Sequence, residues 1–198
     1  MSKGSLFVIS GPSGTGKGTV CAELLKTEDL FLSISATTRD KRAGEVDGVN
    51  YYFITTEDFK DRIVHDQMLE WAIYNDNYYG TPKDSVEKML NEGKDVILEI
   101  EAQGALKVKA MLPETVLIFI VPPSMAELKH RLTTRGRETQ AQIIKRLDAA
   151  KWEFEQAFQY NHVVVNDDLE ECVNRIREII TQRKKNNHFI HTLLLENY

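Results

Sequence analysis

The stretch GPSGTGKGT at residues 11–19 combines glycines, hydroxyl residues and one lysine directly after an apolar run at residues 6–9. Glycines allow the backbone to wrap closely around an anion and to point several N–H groups at it. A helix predicted to begin near Gly16 adds its positive N-terminal end, and Lys17 adds a mobile full charge. The stretch therefore predicts a cradle for the phosphates of a nucleotide.

The spacing Gly11-x-x-x-x-Gly16-Lys17 matches the phosphate loop of nucleotide hydrolases and kinases. Gly18 follows the lysine where many such proteins carry a Ser or Thr ligand for Mg²⁺, and Thr19 comes one place later. Nucleoside monophosphate kinases often have this version. A hydroxyl ligand at position 18 is excluded, and we expect Thr19 to touch a phosphate. The alternative, a chance glycine-rich turn, does not explain the strand before it and the helix after it.

A second anion site is predicted in the segment 33–92, which holds most of the tyrosines. Arg39 and Arg42 stand three residues apart, Tyr51 follows them, and Tyr79 lies in the later motif NYYGTP. Two forked guanidinium groups and two phenol hydroxyls suit a phosphate dianion. The segment therefore predicts a site for a second phosphate, which would receive the phosphoryl group. Taken singly, the tyrosines could equally be packing residues.

Several motifs in one order extend this pattern: GPSGTGKGT, SATTRDKRAGEVDGVNYYF, NYYGTP, EIEAQGA, RGRET, IIKRL and VVVNDD. With these motifs the sequence resembles guanylate kinase over nearly its whole length. The resemblance implies in-line phosphoryl transfer from ATP to GMP, with dGMP as a further acceptor, in purine nucleotide metabolism. It also implies Mg²⁺ held mainly by phosphates and waters, with no protein ligand assigned.

The resemblance implies a role for each residue that matches a family motif. The ATP-binding residues would be Gly11, Pro12, Ser13, Gly14, Thr15, Gly16, Lys17, Gly18, Thr19 and Asn166, the last of these near the adenine. The GMP-binding residues would be Ser35, Arg39, Arg42, Tyr51, Glu70, Tyr79, Thr81, Glu99 and Glu101. The residues acting on the transferring phosphoryl group would be Lys17, Arg42, Arg135 and Arg146, with Arg131 and Arg137 as secondary candidates.

Within this set, Ser35, Glu70 and Thr81 would read the guanine. Guanine presents N1–H and N2–H₂ side by side, two donors for one carboxylate, whereas adenine has no such pair on that edge. Leaving buried polar groups unpaired discriminates strongly, by roughly 10⁴-fold or more at the best sites. The alternatives are that Thr81, before Pro82, caps a helix and that Glu70 is a surface carboxylate.

Two carboxylates, Glu99 and Glu101, end a predicted strand in the motif LEIEAQG. Ligands of α/β folds bind at this end of the strands. In the family one acidic residue here helps to organise the metal and its waters, and the other contacts the acceptor nucleotide; which does which stays open. The alternative for Glu99 is a structural ion pair with Arg39 or Arg42.

The elements that must position these residues follow from four continuous apolar runs, at residues 6–9, 96–98 with Ile100, 116–121 and 163–165. Such runs are typical of parallel strands buried on both faces. Helical patterns at residues 16–26, 102–111, 125–134, 139–160 and 169–183 alternate with them. The sequence thus predicts an α/β P-loop fold with a doubly wound parallel sheet and an inserted α+β subdomain, and the resemblance to guanylate kinase implies a helical lid.

The expected division assigns residues 1–32, 93–125 and 146–198 to the core, 33–92 to the GMP-binding subdomain and 126–145 to the lid. We expect short half-exposed strands in VNYYFIT and LEWAIYN, and a helix over residues 56–64. The basic and then apolar tail, 184–198, is interpreted as a packing or oligomer contact, so the chain would be a monomer or homodimer.

Bulk composition excludes several classes of protein. A net charge of −5 over 198 residues argues against general nucleic-acid binding. No apolar run reaches membrane-spanning length and no signal peptide is visible, so a cytoplasmic protein without membrane contact is expected. The two cysteines, Cys21 and Cys172, are interpreted as small core residues.

Three other functions are alternatives to a GMP kinase. A non-catalytic scaffold domain of the same fold typically loses the phosphate-loop residues, which are intact here. A kinase for AMP, UMP or dTMP is opposed by the SATTR and NYYGTP segments. A regulatory GTPase would carry an Asn-Lys-x-Asp segment, and nothing in the chain resembles one. No general base is expected, because the GMP phosphate oxygen is already anionic, and no histidine is assigned a role.

Overall fold

The structure, a computed structural model, describes residues 3–74, 76–134 and 139–197, and their side chains except those of Thr27, Tyr74 and residues 187–197. The strands are β1 (Leu6–Ser10), β2 (Leu30–Leu32), β3 (Ala36–Thr37), β4 (Tyr52–Phe53), β5 (Met68–Tyr74), β6 (Asn77–Pro82), β7 (Asp95–Glu99), β8 (Val116–Val121) and β9 (His162–Val165). The helices are α1 (Lys17–Thr27), α2 (Thr56–Val64), α3 (Lys83–Asn91), α4 (Ala102–Met111), α5 (Met125–Thr134), α6 (Gln140–Gln156) and α7 (Leu169–Asn197).

A parallel sheet with the strand order β2-β7-β1-β8-β9 forms the centre of the fold. Alternate residues of its middle strand, β1, face opposite sides. Phe7 and Ile9 pack in one core cluster with residues of α1 and α7, including the buried, unpaired thiols Cys21 and Cys172. Leu6 and Val8 pack in a second cluster with residues of α3 and α4. Helices thus cover both faces, which explains the continuous apolar runs and confirms the predicted fold class.

A second, four-stranded sheet has the order β4-β3-β6-β5. Its strands β3, β6 and β5 pair antiparallel, and β4 joins β3 in parallel. Phe59 of α2 is buried against this sheet, where its ring lies 5.3 Å from that of Tyr78. This antiparallel arrangement places Glu70 of β5 opposite Thr81 of β6.

Helices α5 and α6 form a small unit with a core of its own, made by Leu128 and Leu132 of α5 and by Ile143 and Ala150 of α6. The N-terminus of α5 is capped by Ser124, whose hydroxyl accepts from the N–H of Glu127 at 3.1 Å. The unit follows β8 directly, so α5 begins near the carboxyl edge of the central sheet.

Several elements differ from the sequence-based expectation. Strands β2, β3 and β6 and helix α3 were not predicted, and the VNYYFIT strand shrinks to two residues. The last helix does not end at Arg183 but continues to Asn197. At the point where this extension begins, Arg183 donates to a carboxylate oxygen of Glu114 at 2.7 Å. In the part of the chain that the structure describes, no helix combines the length and apolar character that crossing a membrane requires.

Candidate active site

The phosphate loop has the backbone that its glycines predict. Gly11, Gly14 and Gly16 have φ angles of +141°, +94° and +91°, a region that side chains rarely adopt. Close packing adds a second reason for glycine, since a Cβ on Gly11 would lie 2.2 Å from the carbonyl oxygen of Ile120. The loop therefore bends tightly at the end of β1, and helix α1 begins at its last turn.

Lys17 lies folded against the loop that it follows. Its Nζ donates to the carbonyl oxygens of Gly11 at 2.6 Å and Pro12 at 3.0 Å. Burial lowers the pKa of Lys17, and the carboxylates of Glu99, Glu153 and Glu101 partly offset this effect. A cation so surrounded by carbonyl and carboxylate oxygens is suited to exchange them for phosphate oxygens.

Asn166, just after β9, braces the loop from the other side. Its Nδ2 donates to the carbonyl oxygen of Thr15 at 2.7 Å, and the residue is buried. A Cβ on Gly16 would lie 2.5 Å from the same nitrogen, so the amide occupies the space that this glycine leaves. The amide nitrogen is thus engaged with the loop. The predicted contact of Asn166 with the donor base stays a prediction.

A cavity of about 260 Å³ lies between the second sheet and the carboxyl end of β7. It brings together eight of the nine residues predicted to bind GMP. These are Ser35, Arg39, Arg42, Tyr51, Glu70, Tyr79, Glu99 and Glu101, with Arg146 also in the lining. We call this space the acceptor cavity.

Arg39 is held in the acceptor cavity by a residue that the sequence did not point to. Its two terminal nitrogens donate to both oxygens of Glu45, at 2.8 and 2.9 Å, and the backbone N–H of Arg42 donates to Glu45 at 2.8 Å. These contacts hold the pKa of Glu45 well below its usual range, at about 2. The Arg39 guanidinium also lies 5.5 Å from the ring centre of Tyr51. Glu45 thus fixes the loop that carries both arginines.

Glu70 points into the same cavity from β5. It is 7% exposed, and its Oε1 accepts a 2.8 Å hydrogen bond from the hydroxyl of Thr81. Burial raises the pKa of Glu70, while the Thr81 hydrogen bond and the charge of Lys107 oppose the shift. The alternatives for both residues were wrong: Glu70 is not a surface carboxylate, and Thr81 bonds to Glu70, with Pro82 at the cap position of α3.

Glu99 lies between the acceptor cavity and a second cavity that the phosphate loop lines with Ser13, Lys17 and Thr19. Its carboxylate oxygens are each 3.6 Å from where a Cβ of Gly18 would stand. Burial raises its pKa, and Lys17 opposes the shift. The carboxylate that pairs with Arg39 is that of Glu45, so the structural alternative for Glu99 does not hold for that arginine.

Two of the four arginines predicted in or directly after the lid are within the described residues. Arg146 of α6 lines the acceptor cavity and donates to the hydroxyl of Ser13 in the phosphate loop. Arg131 of α5 pairs with Glu127 at 2.7 Å and lines a pocket beside Gly14 and Gly16. The other two predicted lid residues, Arg135 and Arg137, lie outside the described residues.

The carboxylates suit a metal ion that is bound mainly through its substrate. Among the described residues, no group of three or more His, Cys, Asp or Glu side chains could enclose a metal. Mg²⁺ keeps several waters and commonly binds one or two carboxylates together with substrate phosphates. Glu99, beside Gly18 at the phosphate loop, is placed to take part in such a shell.

The model of the family described as guanylate kinase matches residues 3–183. The chain belongs to the guanylate kinase family. It is therefore an enzyme, a nucleoside monophosphate kinase, and the scaffold alternative is set aside.

Similarity to individual guanylate kinases is high. Those of Clostridium perfringens strain 13 and Caldanaerobacter subterraneus subsp. tengcongensis are each 57% identical over 183 residues, 92% of this chain and 85% and 89% of theirs. The crystal structure of guanylate kinase from Anaplasma phagocytophilum superposes with a TM-score of 0.76 at 35% identity, covering 91% of this chain and 86% of that one.

Three residues near the guanylate kinase site were missed by sequence reasoning. Glu45 accepts hydrogen bonds from Arg39, and Gly104 lines the acceptor cavity. The charge of Glu153, on α6, raises the pKa of Lys17 against the effect of burial. Burial raises the pKa of Glu153 to about 7. Glu45 lies within a quoted motif, so its spacing from the arginines was available as a signal. Glu153 lies on a long helix, and only the packing of α6 brings it to the phosphate loop.

We expect Glu45→Ala to raise the KM for GMP roughly 5- to 10-fold, because Arg39 and the Arg42 backbone lose their common acceptor. Initial-rate kinetics with GMP varied at saturating ATP would measure this. Glu45→Gln keeps one acceptor oxygen and should show a smaller effect. A lower KM in Glu45→Ala would mean that Glu45 competes with the phosphate instead of orienting its ligand.

Proposed function

We propose that this enzyme transfers the γ-phosphoryl group of ATP to the phosphate of GMP, forming ADP and GDP, with dGMP as a second acceptor. One observation carries the proposal: the phosphate-loop cavity and the acceptor cavity share Glu99, and Arg146 of the acceptor cavity reaches Ser13 of the phosphate loop. Two anion sites in contact suit a reaction that joins two phosphates.

In this proposal ATP occupies the phosphate loop. Backbone N–H groups of residues 11–19 and the N-terminus of α1 surround the β and γ phosphates. Lys17 leaves the carbonyls of Gly11 and Pro12 and binds phosphate oxygens. The pocket between Gly16 and Arg131 is available to the rest of the donor.

GMP occupies the acceptor cavity. Arg39, Arg42, Tyr51 and Tyr79 hold its phosphate, which explains why two cations and two phenols line the cavity. Glu70 faces N1–H and N2–H₂ of the guanine, and Ser35 or Thr81 donates to O6. The Thr81 hydroxyl has a single hydrogen and already donates it to Glu70, so a Thr81 donor to O6 would have to give up that bond, whereas Ser35 would leave it in place.

The chemistry is an in-line attack of a GMP phosphate oxygen on the γ-phosphorus. The attacking oxygen is anionic, so proton removal is not required. The obstacle is the repulsion between two polyanions, and Lys17, Arg42 and Arg146 supply positive charge where the transition state carries it. Bound Mg²⁺ would neutralise phosphate charge and help to orient the phosphates.

We also propose that the chain is divided into three parts, as the sequence suggests. They are a core of residues 1–32, 93–125 and 146–198, a GMP-binding segment, 33–92, and a lid, 126–145. Most of the residues proposed to bind GMP lie in the second sheet or its loops, and Arg146 is the first residue after the lid. Closure of these parts would exclude water, which competes with GMP as acceptor.

The test is ADP formation from ATP with GMP, dGMP, AMP, UMP and dTMP offered separately, with and without Mg²⁺. We expect turnover with GMP and dGMP, dependent on Mg²⁺, and at least about 10³-fold lower kcat/KM with AMP. Turnover with AMP but not GMP would overturn the assignment of the acceptor cavity.

A further inference from the structure

We infer that Gly104 is a specificity-determining residue: the space left by its missing side chain is what allows the Glu70 carboxylate to face the guanine. The inference rests on the proposed function, since it concerns the base that Glu70 reads. Gly104 lies in the first turns of α4, is buried, and lines the acceptor cavity.

The contact between the two residues is close. A Cβ built on Gly104 would lie 2.7 Å from Oε2 of Glu70, 3.2 Å from its Cδ and 3.4 Å from Cδ1 of Ile100. Real Cβ atoms essentially never approach another heavy atom within 3.0 Å, so any side chain at 104 must displace the carboxylate. Gly104 has no positive φ angle, so backbone conformation does not demand glycine here.

The carboxylate has little room to move without losing contacts. Its Oε1 is held by the Thr81 hydroxyl at 2.8 Å, while Oε2 faces Gly104. Strand β5 is itself fixed to α4, because Lys107 donates to the carbonyl oxygen of Trp71 at 2.9 Å and lies 5.5 Å from the centre of its ring. Helix and strand therefore cannot separate freely to admit a methyl group, and the carboxylate is the part that yields.

The expected damage is to recognition and not to folding. The atoms that a methyl group would strike are the end of a flexible side chain, whereas at Gly80 the nearest atom is the backbone oxygen of Glu70, at 2.5 Å. Alanine also favours an α-helix over glycine, so α4 gains helix propensity. Gly104→Ala should thus fold normally and misplace Glu70.

The experiment compares Gly104→Ala with the wild type for GMP and for inosine monophosphate, which lacks the 2-amino donor. We expect the KM for GMP to rise roughly tenfold or more, and the GMP-over-IMP ratio of kcat/KM to fall by a similar factor. The KM for ATP should stay within about twofold and the Tm should not fall. An unchanged ratio would overturn the inference, as would a lower Tm with parallel losses for ATP and GMP.

A double-mutant cycle tests the contact itself. Glu70→Asp withdraws the carboxylate by one methylene from the position beside Gly104. In that background, adding Gly104→Ala should change the KM for GMP by less than about twofold, because the clash is gone. The same factor in both backgrounds would show that Gly104 acts without Glu70 and would overturn the inference.

Two further measurements separate this inference from the proposed function. If the wild type makes no ADP with GMP, the proposed function itself fails. If Glu70→Gln leaves the GMP-over-IMP ratio unchanged, the assignment of Glu70 to the guanine fails, and the role of Gly104 fails with it. If both behave as proposed and Gly104→Ala is silent, only the role of Gly104 fails.

Discussion

Lys17→Ala is expected to lower kcat for phosphoryl transfer from ATP to GMP by roughly 10³-fold or more, the range that a single cation on a phosphoryl-transfer transition state provides. Lys17 is the one cation built into the phosphate loop, and its Nζ lies within hydrogen-bond distance of two loop carbonyls. Alanine removes both its charge and its reach. Single-turnover kinetics at saturating ATP and GMP would measure the loss.

The control for Lys17→Ala is Lys26→Ala on the same helix. Lys26 is exposed and pairs with nearby Glu23, at 2.6 Å, so its loss should leave kcat unchanged. Binding of GMP to Lys17→Ala in the absence of ATP should also be unchanged, because Lys17 does not line the acceptor cavity. Retention of more than about a tenth of wild-type kcat would contradict the assigned role.

Glu70→Ala is the change with the largest expected effect on substrate choice. We expect kcat/KM for GMP to fall roughly 10³- to 10⁴-fold while the KM for ATP changes little, because the two guanine donors would lose the carboxylate that accepts from them. Glu70→Gln keeps the length of the side chain and an oxygen for Thr81, but it places an amide N–H₂ against the guanine donors. Equal damage to ATP and GMP use would refute the assignment.

The ionisation of Glu70 predicts that the KM for GMP depends on pH. Burial raises the pKa of Glu70 above the ordinary value of 4.5, and guanine binding requires the charged form. The KM for GMP should therefore rise as the pH falls through this raised pKa, and the rise should be absent in Glu70→Gln. Glu57→Gln, an exposed change at the start of α2, serves as the matched control and should keep the wild-type profile.

The phosphate loop and the long buried strands were predicted from the sequence, whereas the short strands were not, for a physical reason. The phosphate loop was accessible from sequence because its chemistry is local: a strand, a glycine turn and a helix N-terminus follow one another along the chain. The buried strands β1 and β8 were equally clear, since both faces of a parallel sheet are covered and the apolar runs are continuous. Short strands such as β2 and β3 carry too few residues to show a period.

The sequence alone thus determined the α/β fold, and it predicted which residues bind phosphates and a guanine. The tertiary structure decided how these residues meet. It placed Glu99 between two cavities, paired Arg39 with Glu45, and packed Gly104 against Glu70. Glu70 and Gly104 are far apart along the chain and lie on different elements, a strand and a helix. Their contact depends on how α4 packs against β5, and no local pattern of residues records that packing.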